Sequence, residues 1–549
     1  MTTLQPRPPY SEEELKKLYP ENLELRLVQV LLRHGERAPV SVRFQNAGLA
    51  PYWPYCNAAQ RLRSVAMIPN GEQAWDSLQW RRRLERFGED DGPIIAAGAG
   101  GEVDGICQLG ELTDPGRQST YALGTRLRHL YVDQLSFMPK LIANADLIYL
   151  RATPMPRALE SVQQSFWGMY PSTARTAAFP SPTIVTRTPA DETLFPNDSN
   201  CRRFAQLSRA FAQRTADRWN DTSDMEYLTK LISRWMPESS PRVAVDSHPR
   251  LSGIMDTINS TLAHGPETRL PKEFYDKRAA GIIDKVAVEE WFSGYNESRE
   301  YRKLGIGALA GDIVERMVSK VEGAGLSIYE IGGENGFLGQ GRGGEKGILF
   351  AMSGCHDTTL ASLLTAVGAF NGEKWPPYTS HIAVELFRKK ADSLPPASES
   401  SSPTAPKSAT AIQAASLNSS KPGWISSMLG LSSSASSALT PTSVQQPGAR
   451  AEGIARRPFT DLSAAEKQKL DGYYVRLRYN DKVMTVPACK KPGNHLDGDD
   501  SFCTLETFKR VVDGFTPANW KGECGLRLGE PAQGLDGAQQ WAGQIEDDA

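Results

Sequence analysis

The run Leu27-Val28-Gln29-Val30-Leu31-Leu32 constrains this chain more than any other stretch. It is far shorter than the roughly 20 residues a membrane helix needs. Its near-continuous apolar, partly β-branched character predicts a strand covered on both faces, as in an α/β sheet. The enclosing segment, Leu25 to Pro39 (LRLVQVLLRHGERAP), then breaks into Arg33-His34-Gly35-Glu36-Arg37. Two guanidiniums and an imidazole leaving a buried strand form an anion site rather than a packing element.

That local charge is not a property of the whole chain. With a net charge of −2 over 549 residues, there is no global pull toward nucleic acid or an anionic membrane. Any preference for phosphate must come from local arginines. The opening residues lack the charged-then-apolar pattern of a secretory signal, and no apolar run reaches membrane-spanning length. An intracellular protein is expected, cytoplasmic or mitochondrial. Seven cysteines, an odd number, do not read as a disulfide framework.

Along the chain, Glu12 to Leu18 reads as a short helix, and Gly71 to Phe87 as helical from the spacing of Trp80, Leu84 and Phe87. Arg81-Arg82-Arg83 within it reads as a solvated face. Asp114-Pro115 supplies an N-cap and a first-turn proline for a helix bearing Tyr121, Leu123, Leu127, Leu130 and Tyr131 on one side. Ala145 to Leu150 is a second strand followed by RATPMPR and a helix from about Ala158 to Trp167. Cys201 to about Lys320 is helical in pattern. The eight glycines from Gly332 to Gly347 include Gly339-x-Gly341-x-x-Gly344, but they precede a strand instead of following one, which excludes a dinucleotide fingerprint. Gly347 to Met352 is the third strand, ending in Ser353-Gly354-Cys355-His356-Asp357 before a helix from Thr358. Ile382 to Phe387 and Tyr473 to Tyr479 alternate as neighbouring strands. Between them, Asp392 to Arg450 carries 17 serines and one aromatic residue, a composition that predicts disorder.

Three strands therefore end in chemistry-bearing residues: Arg33, His34 and Arg37 after the first, Arg151 at the second, His356 and Asp357 after the third. In open α/β sheets ligands bind beyond the carboxyl ends of strands. Guanidinium forks match phosphate oxygens in pairs. No HExxH motif and no carboxylate cluster suited to two metals occurs, so the reading needs no metal or cofactor. His34, kept neutral by the flanking arginines, can attack phosphorus, and Asp357 is the acid placed to protonate the leaving group. The remaining histidines, His129, His248, His264, His381 and His495, read as structural.

RHGERAP at Arg33 to Pro39, together with His356-Asp357, resembles the histidine acid phosphatase family of the prostatic and lysosomal type. QLGELTDPGRQSTYALGTRLRHLYV, RATPMPRALES and VPACKK…FCTLETF…NWKGEC extend the resemblance over Leu25 to Phe387 and Phe459 to Cys524. The overall look is nearest the lysophosphatidic acid phosphatase branch. The resemblance implies His34 as phosphohistidine nucleophile, Asp357 as proton donor, and Arg33, Arg37, Arg151 and His356 as phosphate ligands. The family's RST has become Arg151-Ala152-Thr153 here. The resemblance also implies disulfides Cys201–Cys524 and Cys489–Cys503.

The expected fold is α/β, a phosphoglycerate-mutase-like and parallel-dominated core sheet flanked by helices. The segments are an N-terminal piece (1–24), core in three parts (25–200, 332–391, 458–525), a helical cap (201–331), a disordered Ser/Pro-rich insertion (392–457) and a tail (526–549). The expected activity is metal-independent hydrolysis of a phosphate monoester, with lysophosphatidate leading and inositol phosphates or small metabolites behind it. A phosphoglycerate-mutase-like phosphotransferase and a catalytically weak phosphate-binding interaction protein are the alternatives.

Overall fold

The computed structural model describes residues 3–69, 73–323, 347–390, 453–535 and 540–545. Most of the glycine-rich stretch and nearly all of the serine-rich stretch lie outside the described residues.

The buried apolar run forms β1 (Leu23–Arg33). Leu27 and Leu31 face one hydrophobic core and Val28, Val30 and Leu32 the other, so this strand divides the molecule's apolar interior in two. Each such side chain contributes about 1.5–3 kcal/mol relative to exposure. Gln29, the polar break in the run, is buried with its amide satisfied: Nε2 donates to Ile313 O at 3.0 Å, and Oε1 accepts from Arg316 at 3.1 Å.

The remaining strands are β2 (Leu62–Pro69), β3 (Gln73–Trp80), β4 (Glu85–Phe87), β5 (Pro93–Ile95), β6 (Ile148–Ala152), β7 (Ile184–Val185), β8 (Phe350–Cys355), β9 (His381–Lys389), β10 (Tyr473–Tyr479), β11 (Lys482–Met484), β12 (His495–Leu496) and β13 (Asp499–Thr504). The main sheet has the order β12-β13-β10-β9-β1-β8-β6-β7, with β11 on β10. Strands β1, β8, β6 and β7 are parallel, as expected for the site-bearing half. The other half is antiparallel, so the sheet is mixed and not parallel-dominated. The reason lies in the loop after β8 and its helix. It returns the chain to the carboxyl edge, where His381 opens β9 opposite Leu32, so β9 must run back against β1.

Helices flank this sheet: α1 (Glu12–Leu18), α2 (Asp114–Arg128), α3 (Pro156–Met169), α4 (Arg202–Trp219), α5 (Ser223–Ile232), α6 (Leu251–Leu262), α7 (Lys277–Glu297), α8 (Arg299–Arg302), α9 (Ala308–Glu322) and α10 (Asp357–Ala366). The helical pattern from Cys201 onward is therefore realised. Phe204, Leu207, Tyr301 and Leu309 share the sheet's core, while Met225, Ile254 and Ile283 pack with Phe44 and Trp53 in a separate cluster. Among the described residues no helix is long and apolar enough to cross a membrane.

Three local expectations are corrected. The stretch 71–87 is not a helix. Leu62–Pro69 and Gln73–Trp80 pair as an antiparallel ribbon in which Met67 faces Trp75 and Leu62 faces Trp80. The overlooked signal is Asn70-Gly71 between two apolar runs, the strongest short hairpin cue. The α2 N-cap is Thr113 rather than Asp114, since the hydroxyl of Thr113 accepts from Gly116 N. Finally, six of the seven cysteines pair: Cys56–Cys107, Cys201–Cys524 and Cys489–Cys503, with Cα separations of 5.0, 4.7 and 5.1 Å. The odd one is Cys355, buried at the end of β8. Two of these pairs are those the family resemblance implied.

Candidate active site

β1, β8 and β6 lie side by side with their carboxyl ends in register: Arg33 opposite Cys355, and Gly354 opposite Ala152. Their continuations meet over one edge of the sheet, beside the N-termini of α2, α3 and α10. Such helix ends favour an anion.

The turn carrying His34 is seated by an unusually close backbone approach. A Cβ on Gly35 would lie 2.2 Å from Gly116 O, and one on Gly116 would lie 2.1 Å from Glu36 O. Only a glycine pair lets α2 come this near, and Thr113 closes the contact by donating its N–H and hydroxyl to Glu36 O, both at 3.0 Å. Glu36 itself turns away from the site, accepting from Thr3 and Ser119.

His34 is buried, and Nδ1 lies 2.8 Å from Gly35 O. A carbonyl only accepts, so Nδ1 carries the proton and the neutral ring keeps the lone pair on Nε2. Burial first, then the charges of Arg157, Arg33 and Arg37, hold the His34 pKa well below its ordinary value. The His356 ring lies 5.6 Å from that of His34 and shares a hydrogen bond from Nε2 to Thr153 Oγ1 at 3.1 Å. Burial and the neighbouring arginines keep it neutral as well.

Arg33 reaches Asp357 Oδ2 at 2.7 Å, donates to Pro376 O at 2.6 Å, and stands 4.1 Å over the Tyr378 ring. Arg37 pairs with Asp256 on α6 at 2.6 Å, and burial is outweighed by that company so its pKa is raised. Asp357 opens α10. Burial alone would raise its carboxyl, but Arg33, the Trp375 indole donating at 3.0 Å and Arg37 hold it below the ordinary range.

The residue that departs from expectation is Arg151. It lies inside β6, and its guanidinium is committed to Glu192 at 2.7 Å and Asp312 at 3.3 Å. The structure does not bring it to the cluster. Arg157, in the first turn of α3, stands there instead. Burial first, then Arg37 and Arg33, pull it down to about 10. Its one described hydrogen bond runs to Met155 Sδ at 3.4 Å, and no carboxylate pairs with it among the described residues. A second arginine in RATPMPR, at a helix start rather than in a strand, was the available signal. Tyr378, Trp375 and Asp256 were not legible, because each arrives from a segment distant in sequence.

The result is a buried pocket edge with three guanidiniums against the carboxylates of Asp357 and Asp256, two neutral imidazoles, and one imidazole nitrogen with its lone pair free. A fold and site of this kind define an α/β protein whose clustered cations can hold a phosphate-sized anion beside a neutral histidine. Residues 24–403 match the family model of the histidine phosphatase superfamily (branch 2). A protein of Schizosaccharomyces pombe described as a probable acid phosphatase is 34% identical over 92% of this chain and 95% of its own length. Human lysophosphatidic acid phosphatase type 6 is 26% identical over 67% of this chain and 74% of that protein. A solved structure of Hafnia alvei phytase with tartrate aligns over 92% of this chain and 99% of that chain, at 12% identity and a TM-score of 0.47. The chain belongs to branch 2 of the histidine phosphatase superfamily and is a phosphomonoester hydrolase.

Proposed function

We propose that His34 attacks phosphorus through Nε2, with Arg33, Arg37, Arg157 and His356 holding the phosphoryl oxygens and Asp357 protonating the departing alcohol. Arg157 takes the place first given to Arg151. As the N–P bond forms, the P–O bond to the alcohol breaks and its electron pair takes the Asp357 proton. Water then attacks the phosphohistidine, Asp357 accepts a proton from it, and free phosphate leaves. The observation that carries this reading is the His34 tautomer: Nδ1–H is spent on Gly35 O, which leaves Nε2 as nucleophile inside an excess of guanidinium charge.

At rest Asp357 is ionised. A phosphate ester entering beside it occupies Arg33 and adds negative charge, both of which raise the Asp357 pKa. The proton is supplied most readily at acidic pH, or by an ester arriving as the monoanion. A lysophospholipid such as lysophosphatidate is the leading substrate, a reading supported by the human relative, with inositol phosphates and small phosphorylated metabolites behind it. The three disulfides favour an oxidising compartment over the cytoplasm.

The test is hydrolysis of p-nitrophenyl phosphate and of lysophosphatidate at acidic pH, with and without EDTA. His34→Ala is expected to abolish turnover and phosphoenzyme trapping. Full turnover by His34→Ala, or loss on chelation, would sink the mechanism.

A further inference from the structure

Outside the phosphate cluster, a pocket of about 250 Å³ lies between the N-terminal segment Arg7–Tyr10 and helix α2, with His381 in its wall. Three buried polar atoms that line it have no hydrogen-bond partner among the described residues: Arg126 Nη2, Gln134 Oε1 and His381 Nδ1. His381 itself is 4% exposed. None of these residues belongs to the phosphate cluster.

Arg126 is the informative member. No carboxylate pairs with half-buried Arg126 among the described residues, and its buried Nη2 donor is left without a hydrogen-bond partner, which is costly. Asp481, the acid on the pocket wall, is already taken by Arg478 at 3.0 Å. The other cation at the mouth, Arg7, is paired with Glu14 at 2.7 Å and stacked 3.7 Å over Tyr10. The pocket thus holds one unsatisfied positive donor, Arg126 Nη2, one unsatisfied acceptor, Gln134 Oε1, and an unpartnered imidazole nitrogen, His381 Nδ1. Its walls are largely apolar, from Pro8, Leu123 and Leu127.

These facts define the occupant's chemistry. A single negative charge matches Arg126, whereas a dianion is disfavoured by the nearby Asp481 carboxylate. A hydroxyl donor matches Gln134 Oε1, and an apolar body matches the walls. We propose that this pocket is a second ligand site of the protein, taking a small amphipathic carboxylate that carries a hydroxyl, with its carboxylate on Arg126.

The pocket is also tied to the active site by the chain itself. Gln134 Nε2 holds Tyr10 O at 2.7 Å on the pocket side of the N-terminal segment. At the other end of that segment, Leu4 N donates to Tyr378 O at 3.0 Å and Thr3 Oγ1 to Glu36 at 2.6 Å. Tyr378 and Glu36 flank the His34 turn, so an occupant that fixes Arg7–Tyr10 fixes the support of that turn.

The experiment is calorimetric titration of the full chain with 4-hydroxyphenylacetate, with 4-hydroxyphenylacetamide as the uncharged control. Saturable binding is expected in the wild type and equally in His34→Ala. It is expected to weaken by at least about tenfold for the amide and for Arg126→Met, the scale of a charge-assisted contact. Arg126→Met should melt no lower than wild type without ligand, because the half-buried guanidinium it removes makes no ion pair among the described residues. Inorganic phosphate, which fills the catalytic cluster, should not displace the probe. Absence of saturable binding, equal binding by Arg126→Met, or displacement by phosphate would each overturn the proposal.

Discussion

Exchanging the two arginines of RATPMPR for glutamine, one at a time, separates clamp from scaffold. Arg157 breaks no ion pair when it leaves, since its described contact is a weak one to Met155 Sδ. On the proposed assignment, Arg157→Gln forfeits a pair of charge-assisted hydrogen bonds to bound phosphate, about 1.5–3 kcal/mol each. Together they predict a fall in kcat/KM of roughly 10² to 10⁴. The protein should melt at or above the wild-type temperature. The same change removes the largest charge acting on His34, so its pKa rises toward the ordinary value. Protonated His34 cannot attack, so the acid limb of the pH profile moves to higher pH. Arg151→Gln does the reverse. It strips a partner from fully buried Glu192 and from Asp312, although Asp312 keeps Arg187 at 2.6 Å. Leaving a buried charge unpaired costs about 3–5 kcal/mol, read as a lower denaturation midpoint, with activity per folded molecule far better preserved than in Arg157→Gln. Steady-state kinetics and urea titration of both variants decide the matter. If Arg151→Gln is stable but inactive while Arg157→Gln turns over normally, the assignment of the clamp is wrong.

Two further predictions follow from the same geometry. His34, His356 and His381 all have folded pKa values depressed from 6.5, with burial the first cause. Below about pH 6.5 the unfolded chain takes up protons the folded chain refuses, so stability present at pH 7 declines on acidification, by about 1.4 kcal/mol per unit for each histidine. Urea midpoints at pH 7.5 and pH 5 measure this, and saturating phosphate should reduce the drop; a protein that stabilises on acidification without ligand contradicts it. Gly116→Ala places a Cβ 2.1 Å from Glu36 O and must displace the His34 turn. It is expected to lower kcat/KM more than it lowers the melting temperature by comparison with Gly281→Ala, where a Cβ meets nothing; equal activity of the two would refute the packing argument.

What the sequence by itself determined was whatever depends on neighbours along the chain. Leu27 to Leu32 had to be a strand buried on both faces, and Arg33, His34 and Arg37 had to leave it together. The pair His356-Asp357 likewise had to follow a strand, and the match in motif was enough to name the family. Arg151 could not be settled in this way. Whether Arg151 or Arg157, six residues later, is free for a phosphate depends on which of them Glu192 and Asp312 pair with, and those residues come from elsewhere in the chain. The same holds for Tyr378 beneath the guanidiniums, Trp375 on Asp357, Asp256 on Arg37, and the Cys56–Cys107 bond. Local pattern reports periodicity and local charge. Only the tertiary structure decides which carboxylate neutralises which cation, and so which arginine is left with charge to spare for a substrate.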